Sequence, residues 1–220
     1  MRDEATKYVS RGGLKLEHAL ESFGVDVSGL RCADFGCNVG GFTDCLLQRG
    51  AAHVTAVDTG YGTLAWKLRQ DARVLTLERT NALHCAPSHA PGAAEPGGYD
   101  LVVVDMAWTP QRLCVPAALK WLKPPTAAGE ADGRAGGRVI TLVKPHYEVK
   151  TEEKHLLSDG VLEEKDAERI MERTLDDLRS LGVEVLGCVR SPVIGGQGKK
   201  NTTGNVEWLA LLTRSQSAGA

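Results

Sequence analysis

The chain has 220 residues, of which 42% are hydrophobic and 25% are charged, and its formal net charge is −2. This composition is typical of a globular domain with its own core. It excludes a nucleic-acid-binding protein that acts through bulk positive charge, though not one with a local basic groove. Because no apolar run approaches the roughly 18 residues that span a bilayer and no signal peptide follows Met1, we expect a cytoplasmic protein without a membrane partner.

Predicted helices and strands alternate along most of the chain, because apolar residues recur with helical spacing in some segments and form short unbroken runs in others. Glycines follow several of the predicted helices and indicate where they end. In chain order we predict a helix over 13–23, a strand over 32–36, a helix over 41–48, a strand over 54–58, a helix over 64–70, strands over 74–77 and 100–105, a helix over 110–122 that Pro116 kinks or starts, a strand over 139–143, a helix over 163–181, and strands over 183–189 and 206–212.

This alternation predicts an α/β fold, Rossmann-like, with helices on both faces of a mostly parallel seven-stranded sheet. No helix is predicted between the last two strands, so we expect the last strand to be antiparallel. Loops rich in proline, alanine and glycine are predicted over 87–98 and 124–137, and neither separates two cores. We therefore predict one domain over 13–214, with an N-terminal linker over 1–12 and a tail over 215–220.

A glycine-rich turn follows the first predicted strand and opens the next helix. Glycine permits close approach of the backbone to a ligand, and a helix start offers free N–H groups, although a capped helix explains the same pattern. The turn is preceded by an acid, Asp34, which would repel a pyrophosphate and suit a ligand with a positive charge. The other candidate cofactor residues of this turn are Gly36, Asn38, Gly40 and Gly41.

A second acid, Asp58, ends the next predicted strand, where a carboxylate can accept hydrogen bonds from ribose hydroxyls. A surface acid without a ligand is the alternative interpretation. Together with Asp34, it favours a nucleoside ligand that lacks phosphate and carries a cation, which is the chemistry of S-adenosylmethionine. A nicotinamide-dependent oxidoreductase is disfavoured, because the turn does not have the G-x-G-x-x-G pattern.

Asp105 and Lys144 each end an apolar strand, at the edge of the sheet where doubly wound folds bind ligands. A lysine at the end of a buried strand is unfavourable unless it is paired, so a structural ion pair with Asp105 is one interpretation. The other is a general base, because burial lowers the pKa of a lysine and makes a neutral amine available. A neighbouring positive charge such as Lys15 would act in the same direction.

Other polar residues are ambiguous when each is taken alone. Lys15 is typical of a helix lysine that reaches solvent, and Glu207 alternates with apolar residues in a strand that can leave it exposed. The six cysteines contain no C-x-x-C pair, so we expect reduced cysteines and no metal site.

Seven segments of the sequence, spread from residue 8 to residue 214, resemble the hemolysin A branch of the FtsJ-like RNA 2′-O-methyltransferases. They occur in the order typical of that family. The matching segments are 8–16 (YVSRGGLKL), 40–50 (GGFTDCLLQRG), 57–62 (VDTGYG), 64–69 (LAWKLR), 78–81 (ERTN), 142–145 (LVKP) and 204–207 (GNVE).

The resemblance implies a class I methyltransferase fold, S-adenosylmethionine as cofactor and RNA, in particular ribosomal RNA, as substrate. It implies a catalytic tetrad in which Lys144 is the base for the 2′-hydroxyl and Asp105 orients Lys144 and faces the cofactor. Lys15 would help to keep Lys144 neutral and position the RNA, and Glu207 would hold Lys15 or the target ribose. For the cofactor it implies Asp34 at the amino acid end, Asp58 at the ribose and Asn81 or its neighbours at the adenine edge.

The sequence also departs from the family pattern. Only seven residues precede Tyr8, where the family usually has an RNA-binding S4 domain, so we expect a partner that supplies RNA targeting. The turn residues 37–39 and the wall residues 106–108 differ from those usual in the family, and a basic loop over 198–201 could contact RNA phosphates. The alternative function is a non-catalytic RNA-binding or ribosome-associated protein that retains the methyltransferase fold.

Overall fold

Strands and helices alternate in a computed structural model, which describes residues 7–86, 98–124, 136–195 and 204–215. The strands are β1 (Arg31–Phe35), β2 (His53–Val57), β3 (Val74–Leu77), β4 (Leu101–Val104), β5 (Arg138–Val143), β6 (Leu157–Ser158), β7 (Val161–Leu162), β8 (Val183–Arg190) and β9 (Trp208–Arg214). The helices are α1 (Gly12–Ser22), α2 (Gly41–Gln48), α3 (Trp66–Arg69), α4 (Gln111–Leu119) and α5 (Glu164–Ser180), with 3-10 turns at Pro145–Tyr147 and Thr151–Leu156.

The main sheet has the strand order β3-β2-β1-β4-β5-β9-β8. The first five strands of the chain pair in parallel, whereas β9 is antiparallel to both of its neighbours, β5 and β8. The predicted seven-stranded, mostly parallel sheet with an antiparallel last strand is therefore confirmed. A separate hairpin of β6 and β7 was not predicted, because strands of two residues have no detectable period.

Each face of the sheet has its own hydrophobic core. Successive residues of β1 point to opposite faces, so Cys32 packs with α1 and α2 on one side while Ala33 packs with α4 and α5 on the other. Every residue of β4 is buried, as expected for a central parallel strand covered on both sides. Because helices cover both faces of the sheet, a ligand site can form at the edge where the carboxyl ends of the parallel strands meet.

The element boundaries differ from the predictions by a few residues, and the causes are local. The helix predicted over 64–70 is limited to Trp66–Arg69, because Ala65 has an extended backbone. Pro116 lies inside α4 and does not mark its start. The last strand begins at Trp208, two positions later than predicted. Most of the two predicted loops over 87–98 and 124–137 lies outside the described residues, as does the basic loop over 198–201.

Residues 7–11, within the predicted N-terminal linker, pack onto the domain. The ring of Tyr8 is buried and its hydroxyl hydrogen-bonds Glu17, while the Val9 N–H donates to Asp44 Oδ2 at 2.9 Å. These contacts bring Ser10 and Arg11 to the same edge of the sheet as the strand ends. Among the described residues, no helix is both long and apolar enough to cross a membrane.

Candidate active site

A cleft of about 550 Å³ lies at the carboxyl ends of the parallel strands. Asp34 of β1, Asp58 after β2, Asp105 after β4 and Lys144 after β5 all line it, because these strands run in the same direction. Of the residues predicted for the site, the cleft is lined by Lys15, Asp34, Gly36, Asn38, Gly41, Asp58, Asn81, Asp105 and Lys144, whereas Gly40 and Glu207 lie behind its wall.

The Asp34 carboxyl group is almost completely buried, and its two oxygens have different surroundings. Its Oδ2 accepts a hydrogen bond from the Thr43 hydroxyl at 2.7 Å, whereas its Oδ1 has no partner among the described residues. Burial raises the pKa of Asp34 to about 7; the Thr43 hydrogen bond opposes this rise, and the nearby Asp105 and Asp58 carboxylates add to it. A buried acceptor without a donor, on the wall of a cleft, fits a ligand that brings a cationic donor.

The glycines of the turn after β1 are explained in part by the packing of the chain itself. Gly36 has a φ of +82°, and a Cβ there would lie 2.5 Å from the Asp105 carbonyl oxygen. Gly40 has a φ of +101°, and a Cβ there would collide with the side chain of Leu68. Gly41 has no room for a Cβ beside the Ser10 hydroxyl. Their predicted role in letting the backbone approach a cofactor stays a prediction.

Asp58 is held by backbone N–H groups of the two turns around it. Its Oδ2 accepts from the Asn38 N–H at 2.8 Å and its Oδ1 from the Gly60 N–H at 2.7 Å. A carboxylate has about four acceptor positions, so this fixed carboxylate can still accept hydrogen bonds from a ligand such as the hydroxyls of a ribose. Asn81 also lines the cleft, and its Oδ1 accepts from the Leu83 N–H at 3.0 Å.

Lys144 and Asp105 form an ion pair, with 2.5 Å between Lys144 Nζ and Asp105 Oδ1. The prediction that burial leaves Lys144 with a lowered pKa is wrong for this arrangement. Burial does lower the pKa of Lys144, but the attraction of the Asp105 carboxylate, and of Glu207 behind it, raises the pKa above its ordinary value. The Lys144 amine is therefore protonated at neutral pH.

Lys15 and Glu207 form a second ion pair, between Lys15 Nζ and Glu207 Oε2. Only 11% of the Lys15 side chain and 4% of the Glu207 side chain are exposed, so neither residue has the solvent-facing position that is usual for its type. The Glu207 carboxylate also lies against Gly195, a residue of the cleft wall. The four residues of the predicted tetrad thus meet as two ion pairs, one on the cleft surface and one at its edge.

Two residues near the lysines, His146 and Tyr147, were not predicted for the site, whereas Trp108 belongs to the wall predicted over 106–108. The rings of His146 and Tyr147 lie 4.1 Å apart, and Trp108, with 79% of its surface exposed, lies 6.2 Å from Tyr147. Burial and the positive charges of Lys144 and Lys15 lower the pKa of His146 to about 4, so its ring is neutral. Aromatic residues at a strand end have no special spacing in sequence, so no pattern marked them.

Hydrogen bonds of Gln111, just after the cleft wall over 106–109, connect this wall to β5 and to the segment that follows β5. The Glu148 carboxylate accepts from the Gln111 N–H at 2.8 Å, at the start of α4. The Gln111 side chain is buried; it donates to the Leu142 carbonyl at 3.0 Å and accepts from the Thr141 hydroxyl at 2.6 Å. These hydrogen bonds connect the segments that follow Asp105 and Lys144, which keeps the ends of β4 and β5 together.

The sheet order, with an antiparallel strand between β5 and β8 and acids at the ends of β1 and β2, defines a Rossmann-like methyltransferase of class I. The chain belongs to the FtsJ-like methyltransferase family, whose profile matches residues 8–201. This membership confirms the family predicted from the sequence motifs, the enzyme class and S-adenosylmethionine as the cofactor.

Individual relatives agree with the family assignment. The chain is 38% identical over 213 residues to the 16S/23S rRNA (cytidine-2′-O)-methyltransferase TlyA of Mycobacterium tuberculosis, covering 96% of this chain and 70% of that one. It is 31% identical over 207 residues to hemolysin A of Brachyspira hyodysenteriae, covering 93% and 76%. A solved structure from Streptococcus thermophilus, provisionally named a hemolysin, has a TM-score of 0.81 and 35% identity, and covers 98% of this chain and 70% of that one.

Proposed function

We propose that the protein methylates the ribose 2′-hydroxyl of RNA, with ribosomal RNA as the substrate class, and that Lys15, Asp105, Lys144 and Glu207 act as a catalytic tetrad. The observation that carries the proposal is the presence of two lysine–carboxylate ion pairs at one end of the cofactor cleft, one of them buried and the other on the cleft surface. The similarity to an enzyme named for 2′-O-methylation of rRNA cytidines supports the choice of substrate.

In this mechanism the bound cofactor supplies a methyl group on a sulfonium, which is already electrophilic. The residues of the chain then have to position the ribose hydroxyl and remove its proton. Lys144 Nζ is the proton acceptor, and it must first lose its own proton because its pKa is raised. Asp105 holds the amine in place at 2.5 Å and balances its charge when the hydroxyl proton arrives.

Lys15 has a different role because its ammonium group is tied to Glu207. A lysine fixed in this way presents a positive charge at a defined position, which suits a phosphate or ribose oxygen of the RNA backbone. Arg11, which is exposed on the same wall, extends this positive edge. Two lysines and an arginine around one cleft favour a polyanion over a neutral small molecule as methyl acceptor.

The tetrad, the cofactor contacts of Asp34, Asp58 and Asn81, the cytoplasmic location and a partner for RNA targeting remain predictions. The test is transfer of tritiated methyl from S-adenosylmethionine to ribosomal subunits and to total RNA. It compares the wild-type protein with Lys144→Ala and with Lys120→Ala, a matched control because Lys120 is exposed at the end of α4.

Three outcomes separate the parts of the proposal. We expect the label on a ribose whose adjacent 3′-phosphodiester bond resists alkaline cleavage. Lys144→Ala should lose this label, and Lys120→Ala should retain it. Full label in Lys144→Ala would show that Lys144 is not the base. No label in any RNA, with cofactor binding measured by calorimetry, would overturn RNA as the substrate.

A further inference from the structure

Thr43 of α2 lies in the core beneath the cofactor end of the cleft. Its residue surface is fully buried, and its hydroxyl donates to Asp34 Oδ2 at 2.7 Å. Threonine inside a helix often turns its hydroxyl back to a carbonyl of the preceding turn, but in α2 the donor goes to a carboxylate on a different element. Thr43 is in the first turn of α2, where the helix dipole also favours a negative charge.

The charged groups that face Asp34 make this hydrogen bond important. Asp58 after β2 and Asp105 after β4 both repel its negative charge, and the neighbouring thiols of Cys32 and Cys37 are buried and not ionised. Among the described residues no cation forms an ion pair with Asp34. The lysine at the end of β5, Lys144, is paired with Asp105 instead. The Thr43 hydroxyl is therefore the side-chain donor that stabilises the ionised form of Asp34.

The three cleft carboxylates also differ in what they can still accept. Both oxygens of Asp58 receive backbone N–H groups, and Asp105 Oδ1 is paired with Lys144. On Asp34, a residue of the cleft wall, the hydroxyl of Thr43 occupies Oδ2, and Oδ1 is buried and has no hydrogen-bond partner among the described residues. Thr43 therefore helps to set the orientation of the carboxyl group, because its hydroxyl holds Oδ2 and its backbone N–H also favours the ionised form of Asp34.

We propose that Thr43 is a positioning residue for cofactor binding: it fixes the Asp34 carboxyl group so that Oδ1 accepts a hydrogen bond from the cationic amino acid end of S-adenosylmethionine, and it favours the ionised form of Asp34 that this contact requires. The proposal rests on S-adenosylmethionine as cofactor and does not depend on RNA as the substrate. It predicts that cofactor affinity rises with pH as Asp34 ionises, up to about pH 8, where the α-amino group of the cofactor begins to lose its own charge, and that Thr43 sets the position of this rise.

The pKa of Asp34, at about 7, lies inside the range in which binding can be measured. Below that pH the carboxyl group is mostly protonated and is a poor acceptor for a cation, so the cofactor binds more weakly. Without the Thr43 donor the pKa of Asp34 rises further, so the loss of affinity is greatest near neutral pH and disappears at alkaline pH.

The test measures the Kd of S-adenosylmethionine by calorimetry from pH 6 to pH 8 for the wild type, Thr43→Val and Thr43→Ser. Valine has nearly the shape of threonine but no hydroxyl, and serine keeps the donor. We expect Thr43→Val to weaken binding about fivefold at pH 7 and less than about twofold at pH 8, with Thr43→Ser within about twofold of the wild type throughout.

Thr55→Val is the matched control. Thr55 is also fully buried and hydrogen-bonds the Tyr99 hydroxyl at 2.8 Å, but its partner Tyr99 does not line the cleft, whereas Asp34 does. It reports the effect of burying a valine in place of threonine, and we expect its cofactor Kd to equal that of the wild type at every pH. A loss in Thr43→Val that is equal at all pH values, or no loss at all, would overturn the proposal.

Discussion

The two ends of the cleft hold their carboxylates in opposite ways. At the cofactor end (Asp34, Asp58), the partners are neutral donors, namely a threonine hydroxyl and backbone N–H groups. At the lysine end (Lys15, Asp105, Lys144, Glu207), each carboxylate is paired with an ammonium group. The first end therefore carries uncompensated negative charge, whereas the second end is balanced.

Burial favours the neutral form of a titratable group at both ends, but only at the lysine end do opposite charges outweigh it. At the cofactor end, burial raises the pKa of Asp34 because no cation stabilises the ionised form. At the lysine end, carboxylates outweigh the burial of Lys144 and keep it protonated. At the cofactor end, a cationic ligand would stabilise the ionised form of Asp34. At the lysine end, Lys144 has to lose a proton before it can act as a base.

The largest expected effect is on turnover at the lysine end. Lys144→Ala removes the proposed proton acceptor, and we expect kcat for RNA methylation to fall by about 10²–10⁴-fold. The Kd of S-adenosylmethionine should stay within about twofold of the wild type, because the cofactor end is untouched. Single-turnover kinetics and calorimetry check the two expectations, and an equal loss in both quantities would contradict the separation of the two ends.

The pH dependence of turnover should follow from the raised pKa of Lys144. The neutral amine increases as pH rises, so kcat at saturating cofactor should increase by up to about tenfold per pH unit and still be rising at about pH 8. Asp105→Asn removes the carboxylate that raises the pKa, so its profile should level off at lower pH. A wild-type plateau below neutral pH would contradict Lys144 as the base.

The buried pair of Lys15 and Glu207 should matter for stability. Glu207→Gln leaves the Lys15 ammonium in the protein with a neutral partner, and we expect a loss of about 2 kcal/mol in the free energy of unfolding. Denaturant titration measures it. Glu164→Gln is the control, since Glu164 forms an exposed pair with Arg190 that should contribute less than about 1 kcal/mol.

The smallest expected effect is at the cofactor end. Asp34→Asn removes the charge but keeps the shape, so S-adenosylmethionine should bind about tenfold more weakly at pH 8, with a Kd that no longer increases as pH falls below about 7. The same substitution should stabilise the protein without cofactor at that pH. Because the folded pKa of Asp34 is raised, its contribution to stability is present below about pH 4 and is lost as pH rises through about 7.

Much of the fold follows from the sequence because its strands are strongly patterned. The run over 101–104 is entirely apolar, and it forms the central strand β4. The hairpin of β6 and β7 could not be predicted, since two-residue strands depend on tertiary contacts. The start of the short helix α3 was misplaced for the same reason, because the extended conformation of Ala65 is set by its surroundings.

The site was predictable as a set of residues but not as an arrangement. Position at strand ends suggested Asp34, Asp58, Asp105 and Lys144, whereas Lys15 and Glu207 gained significance only from the family resemblance. Which carboxylate reaches which lysine decides the direction of the Lys144 pKa, and sequence spacing contains no such distances. The hydrogen bond from Thr43 to Asp34 was missed for a similar reason, because neither residue type marks a donor–acceptor pair across two elements.

The pair of Lys15 and Glu207 joins positions 192 residues apart, and Glu207 immediately precedes β9, the last strand in sequence but an interior strand of the sheet. During synthesis on the ribosome, Lys15 leaves the exit tunnel long before Glu207 exists. The sheet stays open between β5 and β8 until β9 is made and inserted, a contact of very high sequence separation. The lysine end of the cleft is thus the last part of the domain to be completed, and a nascent or truncated chain without β9 has no complete tetrad.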